Sequence, residues 1–246
     1  MADTQQAVQI ADIHTHVLFH IDDGPKTLED SLELLRSSVA SGVTDIVATS
    51  HYYSAHMPPE EFIERREKRL SELRQAVKEQ QIPVRLYHGA EVYINSLLLN
   101  LPSLSDFCFE GTKNILLEIP HTAENLNENL QLIDRILSYY RVRPVIAHVE
   151  RYGFFFKKMK NLAYLHDMGC VIQADTRCFL EGFREKMFAY KALKEGYIDV
   201  IASDCHNVTD RPPELAKAYA AIAKKAGEEA VELLKQNAAA LLPHTL

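Results

Sequence analysis

The sequence predicts an α/β protein in which seven parallel strands close into a (β/α) barrel. Seven strand-length apolar runs recur along the chain, and segments with helical periodicity separate them. Histidine, aspartate or glutamate stands at or near the end of six of these runs. Closure into a barrel explains this pattern best, because several strands then direct side chains to one point at their C-terminal ends. An open doubly wound sheet is the alternative, but no glycine-rich nucleotide loop supports it.

The predicted strands follow one another in a regular order. They span residues 9–16, 44–50, 84–94, 114–120, 143–151, 170–176 and 198–203. In the first strand, residues two apart face the same way, so Asp12, His14 and His16 should project from one face. Two imidazoles on one rigid strand form a clamp for a metal ion, although unrelated polar residues on an exposed strand would give the same pattern.

Four helical segments are predicted between or after these strands. Thr27 is the expected N-cap of the first helix, with Asp30 three residues later in a capping-box arrangement, and Gly42 is its expected end. The segments 59–81 and 126–140 carry apolar residues at helical spacing. The alanine-rich stretch 213–242 is predicted to be helical with a break near Gly227.

Composition limits the class of function. The chain has 246 residues, 47% hydrophobic and 25% charged, which suits one large domain with a substantial core. Its net charge of −7 argues against a general binder of nucleic acid or anionic membrane. It has no apolar run of about 18 residues and no signal-peptide pattern, so we expect a cytoplasmic location without a membrane span. The four cysteines lack C-x-x-C spacing and are expected to be free structural thiols.

Nine candidate metal ligands lie near the predicted strand ends. Five are imidazoles and four are carboxylates: His14, His16, Asp23, His51, Glu91, Glu118, His148, Asp204 and His206. A mixed nitrogen and oxygen set without thiolates suits Mn²⁺, Fe or Zn²⁺ better than copper or an iron–sulfur cluster. Nine ligands are too many for one ion, so we expect two or three ions with at least one bridging carboxylate. Such a centre suits in-line displacement at phosphorus.

Seven short motifs together resemble one known superfamily. In chain order they are DIHTH, DDGPK, ATSH, GAEV, LLEIP, VIAHVERY and ASDCHN. The set resembles the polymerase-and-histidinol-phosphatase (PHP) superfamily. Within it, the set is most similar to the manganese-dependent protein tyrosine phosphatases of Gram-positive capsule and exopolysaccharide biosynthesis. The resemblance covers residues 9–242 in order and with comparable spacing, so it is far more specific than any single motif.

The resemblance implies a fold and domain limits. The implied fold is a distorted TIM-like barrel of seven parallel strands, with a trinuclear metal site at their C-terminal ends. One PHP-type domain would occupy residues 9–246, and residues 1–8 would be an N-terminal extension. Two positions depart from the family pattern: Tyr52 stands where a second histidine is frequent, and Val149 where proline is common. These departures affect the expected shape of the loops and not the ligand set.

The resemblance also distributes the nine side chains among three metals. It implies one metal held by His14, His16, Glu91 and Asp204, a second held by Glu91 as a bridge with Glu118 and His148, and a third held by Asp23, His51 and His206. Arg151 and Arg211 match the positions that bind the substrate phosphate. An arginine at the rim of a metal site is physically suited to bidentate phosphate contacts, although either arginine alone could form a surface ion pair.

The implied activity is hydrolysis of protein phosphotyrosine with Mn²⁺. In the hypothesised mechanism, a hydroxide that bridges metals attacks phosphorus in line with the leaving tyrosine oxygen, while metals and arginines neutralise the phosphate. A phenol with a pKa of about 10 needs little protonation to leave, so the general acid stays open, with Asp204 as one candidate. The implied partner is the tyrosine-rich C-terminal tail of a bacterial tyrosine kinase that governs polysaccharide assembly.

Other interpretations differ in the nucleophile or the substrate. Two C-x5-R sequences, at 178–184 and 205–211, match the spacing of cysteine phosphatases, but bulky or acidic neighbours disfavour a thiolate at both. The remaining alternatives are a histidinol phosphate phosphatase, another small-phosphoester hydrolase, a 3′–5′ exonuclease and a metal-bound scaffold without activity. Separately, the segment 154–160 could form an aromatic and basic lip for phosphotyrosine and its acidic neighbours, or could pack in the ordinary way.

Overall fold

Parallel strands form the centre of the molecule. The computed structural model describes residues 10–121 and 125–243, so the predicted extension 1–8 and the predicted strand start at residue 9 lie outside the described residues. The strands are β1 (Ala11–Thr15), β2 (Asp45–Ala48), β3 (His51–Tyr52), β4 (Arg85–His88), β5 (Glu91–Tyr93), β6 (Asn114–Glu118), β7 (Arg143–Ile146), β8 (Val171–Asp175) and β9 (Val200–Ala202). One sheet has the order β1-β2-β4 and the other β3-β5-β6-β7-β8-β9.

Two strand positions are each bent into two pieces. The third strand ends as β4 and resumes as β5, so predicting one unbroken strand over 84–94 was wrong. The strand predicted over 44–50 is observed as β2, which is shorter, and β3 follows it just beyond the predicted end. Because β2 pairs with β4 and β3 pairs with β5, the bends lie side by side. At the bend, the N–H of Gly89 donates to the carbonyl of Ala48 at 3.0 Å. The bend carries β3 and β5 into the second sheet, where His51 and Glu91 are paired.

The last strand closes the barrel against the first. The N–H of Asp204 donates to the carbonyl of His14, and the N–H of His16 donates to the carbonyl of Cys205, each at 2.9 Å. An isolated parallel bridge joins Thr15 to Cys205. Counting each bent strand once, seven strand positions surround the centre. The predicted distorted TIM-like barrel of parallel strands is therefore confirmed.

Helices pack around the barrel. They are α1 (Leu28–Ala40), α2 (Pro59–Glu79), α3 (Leu126–Tyr140), α4 (Gly153–Lys157), α5 (Leu162–Asp167), α6 (Arg177–Leu180), α7 (Phe183–Lys194), α8 (Leu215–Ala226) and α9 (Glu228–Ala240). The predicted capping box is confirmed, since the N–H of Asp30 donates to Thr27 Oγ1 at 3.1 Å and the N–H of Thr27 donates to Asp30 Oδ2 at 2.9 Å. Gly227, at a φ of 95°, separates α8 from α9 as predicted. No helix in the described ranges is long and apolar enough to cross a membrane.

Apolar side chains fill two regions. The larger cluster joins the strands to the helices and includes Leu32 of α1, Leu70 of α2 and Ile133 of α3. The smaller cluster includes Leu116 of β6. Leu116 lies two residues before Glu118 and therefore on the same face of that strand. The smaller cluster thus fills the interior of the barrel next to the polar side chains at the C-terminal ends of the strands.

Replacing Gly89 with alanine should destabilise the fold. The added methyl group would lie 2.8 Å from Val47 Cγ1 and 3.1 Å from Phe109 Cδ1, so buried side chains would have to shift. We expect the free energy of unfolding, measured in urea by circular dichroism, to fall by about 1–3 kcal/mol. Gly153→Ala is the matched control, because, apart from its chain neighbours and the backbone of its own helix, no atom of the described residues lies within 4 Å of the added methyl. Equal losses in both variants would contradict this role of Gly89.

Candidate metal centre

The nine predicted ligands converge at the C-terminal ends of the strands. They lie on or directly after β1, β3, β5, β6, β7 and β9, with Asp23 in the turn between β1 and α1. Seven of the nine are almost fully buried. His51 is 18% exposed and Asp23 is 62% exposed, so these two lie at the mouth of the site. The structure thus brings all nine side chains to one place, and their role as ligands stays a prediction.

His14, His16, Glu91 and Asp204 form the tightest group. The Nε2 atoms of the two histidines are 3.4 Å apart, and each lies 3.2–3.3 Å from Glu91 Oε2 and Asp204 Oδ1. In a tetrahedral site with ligands about 2.0–2.1 Å from the ion, neighbouring ligand atoms are about 3.3–3.4 Å apart. The observed spacing therefore fits one metal ion held by these four side chains.

Several buried atoms in the site have no hydrogen-bond partner. Among the described residues these include Glu91 Oε2, Glu118 Oε2, Asp204 Oδ1 and His51 Nδ1. His51 Nδ1 lies only 2.8 Å from Glu91 Oε2, yet the two atoms do not form a hydrogen bond. Unpartnered polar atoms are costly in a protein interior, so their convergence on one region fits bound cations.

Two further groups of possible ligands share residues with the first. Their members are His16, Asp23, His51 and His206 in one group, and His51, Glu91 and Glu118 in the other. His148 reaches the same region from the other side, with its Nε2 at 2.8 Å from Glu91 Oε1 and 3.9 Å from Glu118 Oε1. His51 therefore lies near two groups, whereas the sequence-based assignment placed it with one metal only.

The buried carboxylates and imidazoles of the site stabilise each other's charged forms. Burial alone would favour neutral carboxyls, but neighbouring imidazoles, His14 foremost, hold the pKa values of Glu91 and Asp204 well below their usual range. Burial and the adjacent His16 lower the pKa of His206 to about 3, so this imidazole is neutral near pH 7. Metal ions coordinate ionised carboxylates and neutral imidazoles, so metal binding competes with protonation at His14 and His16, whose pKa values are raised by the surrounding carboxylates although burial opposes this.

Asp22, which was not among the predicted site residues, orients two histidines. Its Oδ2 lies 2.8 Å from His16 Nδ1 and accepts a hydrogen bond from the N–H of His51 at 3.1 Å. A carboxylate beside Nδ1 leaves Nε2 of the same ring available to a metal. The adjacent Asp23 turns the other way, with Oδ1 at 3.2 Å from His206 Nε2. In the sequence the two aspartates are equivalent, so only the turn geometry distinguishes them.

Gln173 and Asp175 on β8 were also missed. Gln173 Oε1 accepts a hydrogen bond from the N–H of His148 at 2.8 Å and lies 3.3 Å from His14 Nδ1. Gln173 Nε2 donates to Asp175 Oδ1 at 3.0 Å, and Asp175 Oδ2 accepts from Arg151. The strand without a predicted ligand therefore positions two histidines and an arginine.

Arg151 and Arg211 meet at a single carboxylate oxygen. Arg151 Nη2 donates to Asp204 Oδ2 at 2.5 Å, and Arg211 Nη2 donates to the same oxygen. The two side chains are 34% and 29% exposed, so they lie at the rim of the site. Asp204 faces the histidines through Oδ1 and the arginines through Oδ2.

Two of the candidate ligands have an unusual backbone. His148 has a φ of 35° and Asp204 a φ of 50°, in the left-handed region that side-chain-bearing residues rarely adopt. Each such residue costs on the order of 1–3 kcal/mol, which the surrounding structure must compensate. Strain of this kind concentrates at functional sites, and here it falls on residues two positions after the ends of β7 and β9.

The thiols of both C-x5-R sequences are unsuited to nucleophilic catalysis. Cys178 and Cys205 are buried, and burial raises the pKa of Cys205 to about 12 and that of Cys178 well above its usual range. Cys178 Sγ also donates a hydrogen bond to the carbonyl of Asp175 at 3.0 Å. Catalysis by a thiolate requires the opposite shift, so the structure argues against the cysteine mechanism.

Comparison with known proteins identifies the family. Residues 10–243 match the capsular polysaccharide synthesis family CpsB/CapC. Tyrosine-protein phosphatase CpsB from Streptococcus pneumoniae is 34% identical over 243 residues, which cover 92% of this chain and 95% of the relative. Tyrosine-protein phosphatase YwqE from Bacillus subtilis (strain 168) is 30% identical over 239 residues, which cover 94% and 91%.

Solved structures agree with this relationship. A crystal structure from work on YwqE from Bacillus subtilis and CpsB from Streptococcus pneumoniae, described as unique metal-dependent tyrosine phosphatases, superposes with a TM-score of 0.83. It is 28% identical, and the match covers 95% of this chain and 94% of the other. The organophosphorus hydrolase from Deinococcus radiodurans, at 15% identity and a TM-score of 0.57, shares the fold alone. This chain therefore belongs to the CpsB/CapC family of capsular polysaccharide synthesis.

Proposed function

We propose that this protein is a metal-dependent protein tyrosine phosphatase. The observation that carries the proposal is the convergence of nine histidine and carboxylate side chains beside Arg151 and Arg211, which share the carboxylate of Asp204. Cations and guanidinium groups together are suited to a phosphate dianion. The names of the related tyrosine-protein phosphatases support the same activity.

We infer that the centre holds three Mn²⁺ ions, with Fe or Zn²⁺ as alternatives that the same donors suit. The proposed ligands are His14, His16, Glu91 and Asp204 for the first ion, Glu91, Glu118 and His148 for the second, and Asp23, His51 and His206 for the third. When bound, such ions supply Lewis acidity to the phosphoryl oxygens and lower the pKa of water towards neutrality.

The side chains of the protein position the phosphate ester. Arg151 and Arg211 lie at the rim and can donate paired N–H groups to phosphate oxygens. The carboxylate of Asp204 accepts hydrogen bonds from both guanidinium groups. The carboxylate of Asp175, on β8, accepts a further hydrogen bond from Arg151. The leaving phenol has a pKa of about 10, so its departure needs little help from a general acid.

We infer that the substrate is a phosphotyrosyl protein, namely a cognate bacterial tyrosine kinase that controls capsule or exopolysaccharide synthesis. The association of the family with capsular polysaccharide synthesis supports this choice. A kinase tail can present phosphotyrosine to a site whose mouth is open at the rim of the barrel. The cytoplasmic location and the division into residues 1–8 and 9–246 stay predictions.

Metal removal should abolish activity. Chelator-treated protein is expected to release no phosphate from a phosphotyrosyl peptide, and added Mn²⁺ should restore release, because the site offers metal ligands rather than a nucleophilic side chain. Inorganic phosphate is measured after each treatment, with histidinol phosphate assayed in parallel. Release that does not depend on metal would refute the proposal, and faster release from histidinol phosphate would assign a different substrate class.

His148→Ala should remove both activity and metal. We expect kcat/KM for the peptide to fall by at least about 100-fold, with less bound manganese by elemental analysis, because a side chain 2.8 Å from Glu91 is lost. His166→Ala is the matched control, since His166 lies on α5 before β8 and pairs with Asp199 at 2.9 Å. Near-normal activity of His148→Ala would rule out its assignment as a ligand.

Arg151→Lys should weaken phosphate binding without removing metal. Lysine keeps the charge but cannot form two parallel hydrogen bonds, so kcat/KM should fall by about 10- to 100-fold. Manganese content is measured on the same samples and should stay constant. Arg143→Lys, at the opposite end of the barrel on β7, serves as the control. If both variants kept full activity, Arg151 would not bind the phosphate.

A further inference from the structure

A cavity of about 720 Å³ adjoins the arginine side of the metal centre. It lies between α4, the end of β8, α6 and the first turn of α7. A smaller cavity of about 170 Å³ contains Asp204 and Arg211, where we place the phosphate. Arg151, Asp175, Arg177 and Glu181 line both cavities. The large cavity therefore adjoins the proposed phosphate position along these residues.

The predicted aromatic and basic lip contributes only part of this cavity. Phe155 is fully buried, so it belongs to the core. Phe156 lines the cavity, with its ring 5.1 Å from the ring of Phe188 and the guanidinium of Arg184 5.6 Å above it. Lys157 lines the cavity as well, whereas the exposed lysines at 158 and 160 do not. The segment thus supplies one aromatic wall and one cation.

The carboxylates around the cavity are compensated within the protein. Asp175 is paired with Arg151, and Glu181 Oε2 accepts a hydrogen bond from Arg177 Nε at 2.6 Å. Glu150 is 9% exposed, and its Oε1 accepts a hydrogen bond from the N–H of Asp175 at 3.2 Å. These three acids therefore each have a partner within the protein.

Two cations that line the large cavity have no carboxylate partner of this kind. Lys157 and Arg184 have no carboxylate partner within residues 10–121 and 125–243. The carboxylate of Glu185 lies over Gly182, in the first turn of α7, where the backbone N–H groups stabilise its charge. The cavity therefore combines an aromatic wall with two cations that have no carboxylate partner among the described residues, although the whole chain has a net charge of −7.

We propose that this cavity is a subsite for an acidic residue that flanks the phosphotyrosine in the substrate. The inference rests on the proposed function. With the phosphate held by Arg151 and Arg211, the peptide passes over Arg151 into the large cavity. The aliphatic part of an acidic side chain then packs on Phe156, and its carboxylate meets Lys157 and Arg184. The subsite thus selects among phosphotyrosyl peptides by the charge next to the modified tyrosine.

The test compares two phosphotyrosyl peptides that differ only in glutamate or glutamine beside the phosphotyrosine. For the unmodified protein loaded with Mn²⁺, the ratio of kcat/KM for the acidic peptide to that for the neutral peptide should be about 3 to 10. The ratio should fall as salt is added, because the cations lie at an exposed rim. Using a ratio removes any general loss of active protein from the comparison.

Charge reversal supplies the decisive variants. In the double variant Lys157→Glu with Arg184→Glu the ratio should fall below one, and in the milder variant with glutamine at both positions it should be about one. The matched control is Lys158→Glu with Lys160→Glu, which changes the net charge by the same amount at two residues that do not line the cavity. The control should keep the ratio of the unmodified protein.

Two outcomes would overturn the subsite. One is a ratio of one in the unmodified protein, and the other is an equal fall of the ratio in the control. Hydrolysis of para-nitrophenyl phosphate by the unmodified protein separates this failure from that of the proposed function. If that ester is cleaved while the peptide ratio is one, only the subsite is wrong. If neither the ester nor the peptides are cleaved, the proposed phosphatase activity and the proposed subsite are both wrong.

Discussion

The architecture of this protein depends on how one buried carboxylate is surrounded. Glu91 is 1% exposed, and four imidazoles contact it: Oε2 lies 3.3 Å from His14 and His16 and 2.8 Å from His51, while Oε1 lies 2.8 Å from His148. An isolated buried carboxylate would cost several kcal/mol, so the fold is stable only if these partners arrive together. They come from β1, β3 and the end of β7. Correct closure of the barrel and assembly of the site are therefore one requirement.

The sequence was informative wherever local chemistry decides the structure. The capping box of Thr27 and Asp30 needs only residues three apart, and the helix break at Gly227 needs only one glycine. The candidate ligands were also predictable, because histidine and carboxylate side chains at the ends of several apolar strands are typical of a metal site. What made the barrel and the family recognisable was the recurrence of this pattern in most of the strands, and the comparisons bear out both.

Other features depend on contacts between distant parts of the chain and left no local signal. The bend at Gly89 exists because two neighbouring strands change sheets together, which a single strand-like run cannot reveal. Gln173 is an ordinary polar residue in a buried strand until β1 and β7 lie beside it. Helices α4 and α6 have five residues or fewer, too few for a helical period to stand out, yet together with α7 they line the cavity next to Arg151.

The carboxylate of Asp204 also affects how the product would leave. Both guanidinium groups donate to its Oδ2, so each arginine has an anionic partner inside the protein when no phosphate is bound. Inorganic phosphate must compete with this internal carboxylate for the same donors, which makes its affinity lower than two unpaired arginines would give. In a phosphatase, this competition speeds the departure of phosphate after each turnover and limits inhibition by accumulated product. Asp204 Oδ2 thus orients the two arginines and also competes with phosphate for their N–H groups.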